Sequence, residues 1–376
     1  MGDTRPLMIA LARMNHIREV DTANNTLTVE AGVMLATAQA AAADNDRLFP
    51  LSLAAEGSCQ IGGNLSSNAG GLAVLRYGTM RDLTLGIEAV LPDGSILQQL
   101  HGLRKNNTGY DLKHLLIGAE GTLGIITAAT LKLYPRPRAY ATAWVTVTDP
   151  AHAVTLLRAL EARFSSHLVA YELVSRLCLD VVRQHCPTCQ LPTYGDWNVL
   201  LELSAEIDDG TIDTALIDWL SHCGLIEDAL LAQNSRQRAE LWAIREAIPE
   251  AERRRGPCIK HDIALPISNI APFMQKAESR LKQAFPQCQL IIFGHLGDGN
   301  LHYNVEQALA DEEAVNTLVY DTVAEFGGSI SAEHGIGQLR RHWLARYQDP
   351  VALATMRAIK QTLDPESLMN PGKIFE

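Results

Sequence analysis

The stretch "FGHLGDGNLHYNV", residues 293–305, constrains the fold more than any other in this 376-residue chain. Two runs of strand-forming residues flank Gly297, Asp298, Gly299 and Asn300, and Asp-Gly is a strong hairpin signal because Gly and Asn tolerate positive φ. With those four residues as the loop, Leu296 pairs with Leu301 and His295 faces His302. Cross-strand neighbours on one face lie about 5 Å apart at Cβ. Leu301, Tyr303 and Val305 then face one way, and His302 and Asn304 the other. The hairpin therefore predicts an apolar face and a polar face that gathers His295, His302 and Asn304, close enough for two imidazoles to share one metal ion.

Around this hairpin the chain falls into two textures. The length suits two domains at a prior of roughly 150 residues each. Before residue 135 the sequence is rich in small residues. The run 7–14 is strand-like. Residues 17–33 alternate on both sides of Asn24-Asn25 and predict a hairpin, as do 86–100 around Asp93-Gly94. Residues 34–45 are Ala-rich and read as a helix. Residues 109–137 read as a short helix, a Gly-rich loop and a strand ended by prolines.

After Pro137, strands expected at 140–149, 168–174, 197–205, 258–266 and 288–305 alternate with helices at 151–164, 173–185, 210–222, 235–255, 267–285 and 311–327. That pattern implies an antiparallel sheet with helices on one face. The fold class expected is α+β: a first domain, 1–135, rich in small residues, and an α+β second domain, 136–376, its antiparallel sheet covered by helices.

Charge narrows the partners. A net charge of −11 argues against nucleic acid or an anionic membrane. No apolar run approaches the roughly 18 residues that cross a bilayer. Seven cysteines without an export signal point to a reducing cytoplasm. Cys186-Pro187-Thr188-Cys189 is a lone CxxC and reads as an ordinary loop, and Arg253-Arg254-Arg255 as a helix end.

Between Gly57 and Gly71 stand Gly57, Gly62, Gly63, Gly70 and Gly71, with Ser58, Asn64, Ser66, Ser67 and Asn68 among them. Such a segment can turn successive backbone N–H groups toward anionic oxygens. It carries no Lys or Arg, so a diphosphate would be held by backbone dipoles and neutral side chains. It is neither a Walker loop nor a GxGxxG fingerprint. A second loop, Gly118 to Gly124, suggests that the two share a dinucleotide cradle.

The motifs "EGSCQIGGNLSSNAGG", "RYG", "IGAEGTLGIIT", "GHLGDGNLH", "SAEHGIG" and "MNPGKIF", in this order, resemble the FAD-linked 2-hydroxyacid dehydrogenases of the vanillyl-alcohol-oxidase superfamily. The resemblance is nearest to the D-2-hydroxyglutarate dehydrogenase branch, beside D-lactate dehydrogenases and the glycolate oxidase flavin subunit. It implies an FAD site at Gly57, Ser58, Gly62, Gly63, Asn64, Gly71, Tyr77, Gly78, Glu120, Gly121, Gly124, Ile126 and Asn370, with the last residues returning to the flavin. It implies a divalent metal (zinc, manganese or iron) on His295, His302 and Glu333. Substrate contacts would fall to Arg245, Lys260, Asn304 and His334. Two departures stand out. The family's amino-terminal subdomain, with its own Gly-rich loop, has no counterpart here, so the chain reads as truncated and its hold on FAD as weakened. Where the family has a substrate-binding threonine, this chain has Pro249.

The chemistry of the residues agrees. Two imidazoles and a carboxylate leave coordination positions open for a substrate. A 2-hydroxyacid can chelate there through its hydroxyl and one carboxylate oxygen, and the metal lowers the hydroxyl's pKa. His334 is the natural proton acceptor, and Arg245 can grip a carboxylate with its planar fork. The expected activity is FAD-dependent oxidation of a D-2-hydroxyacid, D-2-hydroxyglutarate first, with D-lactate or glycolate as the alternative. Electrons would pass to an electron-transfer flavoprotein or a quinone. A homodimer is left open, as is a non-catalytic remnant unable to hold FAD.

Overall fold

The computed structural model describes residues 7–375. The chain forms two compact units. The first takes residues up to Gly70, Gly78–Arg136 and the chain from Gly335 onward; the second takes Gly71–Tyr77 and Pro137–His334.

In the first unit, β1 (Ile17–Asp21), β2 (Thr26–Glu30), β4 (Thr84–Val90), β5 (Ile96–Gln99) and β6 (Ile125–Lys132) form an antiparallel sheet ordered β1-β2-β6-β4-β5. β3 (Arg47–Leu48) and β7 (Tyr134–Pro135) make a short separate pair. Both expected hairpins form for the reason their turns implied. Asp21 and Asp93 accept N–H groups two residues on, from Ala23 and Ser95, and so close the loops locally. The Ala-rich helix spans Leu35–Asp44. Residues 7–14, expected as a strand, carry no strand; Leu7 and Met8 are exposed. Their apolar run does not alternate; Met14 O accepts the Gly32 N–H at 2.8 Å.

The second unit is built on a seven-stranded antiparallel sheet. Its strands are β8 (Ala139–Val147), β9 (Leu168–Ser175), β10 (Trp197–Ala205), β11 (Asp228–Leu231), β12 (Asp262–Ala264), β13 (Gln289–His295) and β14 (Asn300–Glu306), ordered β11-β8-β10-β9-β13-β14-β12. The sheet is antiparallel and helix-covered as the alternation implied, but helices pack on both faces. On one, Tyr171 donates to Ala153 O in helix Pro150–Phe164, and Phe273 of helix Ile270–Ala284 meets the Tyr303 ring edge-on. On the other, helices Arg176–His185 and Ser235–Arg255 bury Val182, Trp242, Ile244 and Ile248 against Trp144, Val174, Leu200 and Phe293. The reason is the strands themselves: β9 is buried at all eight positions, so both of its faces need cover.

Helix Ser235–Arg255 starts where Asn234 accepts the Gln237 N–H and stops at Gly256. Its buried positions 241, 244, 245, 248, 251 and 252 follow helical spacing. Among them are two charged residues, Arg245 and Glu252, aimed at the sheet.

Candidate active site: a ring of acids around three histidines

The hairpin register differs from the expectation by one position at each end of the loop. Phe293, not His295, stands opposite His302. The loop is Leu296–Gly299, closed by Asp298 N–H and Gly299 N–H on His295 O. Gly299 takes the positive φ of +87°, while Asn300 begins β14 and donates to Asp262 Oδ1 and Ile263 O. At Gly294 (φ +154°) a side chain would lie 2.5 Å from Asn300 O, so only glycine lets β13 bend there. A two-residue shift preserves the face of every side chain. His295 and His302 therefore still share a face, as a diagonal pair with ring centroids 6.1 Å apart.

That face carries the site. Glu333, from the segment after helix Glu312–Glu325, places Oε1 3.7 Å from His295 Nε2 and Oε2 4.0 Å from His302 Nε2. The donor atoms of the three all lie within 4.8 Å of one another. His295 Nδ1 donates to Glu172 Oε1 at 2.6 Å, and Arg245 Nε donates to Glu172 Oε2 at 2.8 Å. A carboxylate on Nδ1 fixes the histidine tautomer and leaves Nε2 free to ligate. Burial pushes the Glu172 carboxyl up, but His295 and Arg245 outweigh it and bring it down to about 2. Burial, then Arg245, pushes His302 down to about 3, so it stands as the neutral ring that a metal takes. Burial raises Glu333, and it raises Asp298 in the turn to about 6. The pocket is short of positive charge, and the donor chemistry fits a divalent cation.

Asp262 governs the other histidine. Its Oδ2 accepts the backbone N–H groups of Glu333 and His334, each at 2.9 Å, and lies 3.1 Å from His334 Nδ1. Burial raises the Asp262 carboxyl, but the neighbouring His334 and those N–H groups more than offset it, for a net lowering. His334 is largely exposed.

The remaining expected contacts are present but already engaged. Lys260 Nζ lies 2.9 Å from Glu252 Oε2. Asn304 Nδ2 donates to Glu252 Oε1 at 2.7 Å, and its Oδ1 accepts the His261 N–H at 3.3 Å. Glu172, Glu252 and Asp262 were not picked out from sequence. Glu172 had a signal as the lone charge in "LVAYELVS". Glu252 lies seven residues after Arg245, two helical turns along the same face. Asp262 alternates with Lys260 along one strand face.

In the first unit the two Gly-rich segments meet. Helix Ile61–Ser66 receives the Gly118 N–H on Leu65 O and the Glu120 N–H on Ser66 O. A Cβ on Gly57 or Gly63 would meet nothing within 4 Å, whereas one on Gly62 would meet Ala31 Cβ at 2.8 Å. Asn64 is buried and its Nδ2 has no partner among the described residues. Open backbone beside an orphaned amide donor fits a diphosphate oxygen. Ser58 donates to Ala55 O. Gly78 and Gly121 have positive φ, Gly124 packs near Val90 O, and Ile126 is buried in β6. Glu120 accepts the N–H groups of Ile336 and Gly337, and Asn370 Nδ2 donates to Glu120 O, which ties the terminal segment to this loop. Gly71 and Tyr77 belong to the second unit, where Arg76 lies over the Tyr77 ring.

The glycine-lined cradle and the acid-ringed polar face of the helix-covered sheet suit an FAD-linked oxidoreductase. Residues 136–374 match the family described as "FAD linked oxidases, C-terminal domain", and residues 2–99 match "FAD binding domain". Over 377 residues the chain is 37% identical to "D-2-hydroxyglutarate dehydrogenase, mitochondrial" of Rattus norvegicus, covering 98% of this chain and 69% of that protein. It is 36% identical to D-2-hydroxyglutarate dehydrogenase of Xanthomonas citri, covering 98% and 80%. Among solved structures, p-cresol methylhydroxylase with substrate bound matches 97% of this chain and 79% of that one, with a TM-score of 0.71 and 16% identity. Alkyldihydroxyacetonephosphate synthase matches 96% and 66%, with a TM-score of 0.67 and 18% identity. These two likenesses concern the fold alone. The chain belongs to the FAD-linked oxidases, in the D-2-hydroxyglutarate dehydrogenase-like group, and so among FAD-dependent dehydrogenases. Among the described residues no helix is long and apolar enough to cross a membrane.

Proposed function

We propose that the chain oxidises a D-2-hydroxyacid to the 2-oxoacid. The observation that carries this is the convergence of His295, His302 and Glu333 beside the Asp262–His334 pair on one sheet face. FAD bound in the cradle would supply the hydride acceptor for C2, and a divalent cation held by His295, His302 and Glu333 would supply a Lewis acid for the hydroxyl.

The protein's own residues supply the rest. His334, its Nδ1 held against Asp262, accepts the hydroxyl proton at Nε2. Arg245, anchored on Glu172, offers its remaining N–H groups to the substrate carboxylate. Glu172 keeps His295 oriented. Electrons then leave to a flavoprotein or quinone acceptor, in keeping with the lack of a nicotinamide fingerprint in the sequence. A reducing compartment, the cytoplasm on our reading, suits the seven free cysteines.

The relatives' names point to D-2-hydroxyglutarate, while D-lactate and glycolate share the same reacting end; the side-chain end distinguishes them. The test is bleaching of the flavin in purified protein loaded with FAD and, in turn, zinc, manganese or iron, across a panel of D-2-hydroxyacids. No bleaching by any of them would end the proposal.

A further inference from the structure

Arg245 and Lys260, the two cations expected to meet substrate, each already carry a buried acid. Arg245 is taken by Glu172. Lys260 is taken by Glu252, which is 1% exposed and whose other oxygen accepts from Asn304. Lys260 and Asn304 are directly opposed by the register that pairs Ile259 with Val305 and Asp262 with His302. They therefore form the row next to His302 on the site's face. Glu252 reaches that row from the same helix face as Arg245. Between them, at Pro249, the helix offers no N–H.

The charges on this face decide what it accepts. Glu172, Glu252, Asp262, Glu333 and Asp298 of the turn outnumber Arg245 and Lys260, and Arg255 in the next row is paired with Glu306. A divalent ion and the substrate's own carboxylate leave this face negative. A second carboxylate at the side-chain end would have to take Lys260 and Asn304 from the buried Glu252, and like charges that close repel.

We propose that Glu252 is a specificity-determining residue that holds the side-chain end of the site charge-neutral, selecting 2-hydroxyacids with uncharged side chains over dicarboxylates. This rests on the reading of this face as the 2-hydroxyacid site.

The test compares D-2-hydroxyvalerate with D-2-hydroxyglutarate, which have the same chain length with and without the second carboxylate. The protein, loaded with FAD and metal, is assayed with a dye acceptor. Calorimetric titration with 2-oxovalerate and 2-oxoglutarate gives a readout without turnover. The wild type is expected to favour the monocarboxylate in both. Glu252→Gln is expected to move the kcat/KM ratio and the affinity ratio toward the dicarboxylate by about tenfold or more, the scale of one nearby charge. Lys260→Met is made in the Glu252→Gln background, where no buried carboxylate is left unpaired, and is expected to erase the gain. A wild type that prefers the dicarboxylate, a ratio unmoved by Glu252→Gln, or a gain that survives Lys260→Met in that background overturns the proposal while leaving the dehydrogenase reading standing. Absence of turnover and binding for every 2-hydroxyacid overturns both.

Discussion

Glu172→Gln tests the electrostatic core of the site without touching a residue that meets substrate. Glu172 is fully buried, bonded to His295 at 2.6 Å and Arg245 at 2.8 Å. Its carboxyl falls from the ordinary 4.5 to about 2. At ~1.4 kcal/mol per unit this is about 3 kcal/mol of stability, in the range found when one partner of a buried ion pair is removed. Because the folded value is depressed, that contribution is present above pH 4.5 and fades as pH falls toward 2. His295 has the opposite sign. Burial lowers it, but Glu172 raises it further, for a net rise. Its contribution is therefore full below pH 6.5 and lost as pH climbs through the raised value. The wild-type-minus-variant gap should be widest near pH 6, smaller at pH 8, and should shrink below pH 4.5. Urea unfolding of chelator-treated protein, followed by tryptophan fluorescence, measures it. Of the five tryptophans, Trp144, Trp197, Trp219 and Trp242 lie in the second unit, so the signal reports mainly on the unit in question. A gap under about 1 kcal/mol at pH 6, or one constant from pH 8 to pH 3, would refute the reasoning.

Further expectations concern the metal, the base and the cradle. Glu172→Gln should also weaken divalent-cation binding by roughly 10- to 100-fold, as loss of a carboxylate behind a histidine ligand does, measured by equilibrium dialysis; unchanged affinity would remove His295 from the ligand set. Asp262→Asn should lower kcat about 100-fold or more by freeing His334, with the acidic limb of the pH–rate profile displaced; an unmoved profile would mean His334 is not the base. Glu120→Ala removes a carboxylate that holds the Ile336 and Gly337 N–H groups, and should cost the first unit about 2 kcal/mol, read by hydrogen exchange at those amides. Asn64→Leu should weaken FAD binding in a flavin-fluorescence titration, because it deletes the orphaned amide; equal affinity would place the diphosphate elsewhere.

What could be read in advance follows from the range of each interaction. Turn chemistry is local, so the hairpins around Asn24-Asn25, Asp93-Gly94 and Asp298-Gly299 were legible. The loop boundary near His295 was not, because whether Asn300 turns or pairs depends on Asp262, 38 residues earlier. Residues 7–14 looked like a strand because composition alone does not say whether a partner edge is available. The helices' second layer was hidden for a similar reason: an all-apolar β9 signals burial but not on which side the cover lies. His295 and His302 stand out in the hairpin, and Glu333 through the resemblance of "SAEHGIG" to its family, whereas Glu172 and Glu252 resemble any other glutamate until the sheet and helix bring them to Arg245 and Lys260.

Those two glutamates bear on how a site of this kind is tuned. A buried carboxylate beside a cation is poor evidence for stability, because its desolvation cost can match its Coulomb gain. Glu172 has a clear use: it commits Arg245 and His295 to one geometry, and neither can reorient without leaving a buried charge unpaired. Glu252 sits two turns after Arg245 on its helix and makes the same kind of arrangement with Lys260 and Asn304. The helix thus gives a cation to one acid-neutralised row and an acid to the other, which on the proposed reading are the reacting end and the side-chain end. Removing the first acid should damage folding, ligation and every substrate alike. Removing the second should chiefly change which substrate is preferred. That contrast separates a positioning acid from a selecting one, and it is measurable as a change in all rates together against a change in their ratio.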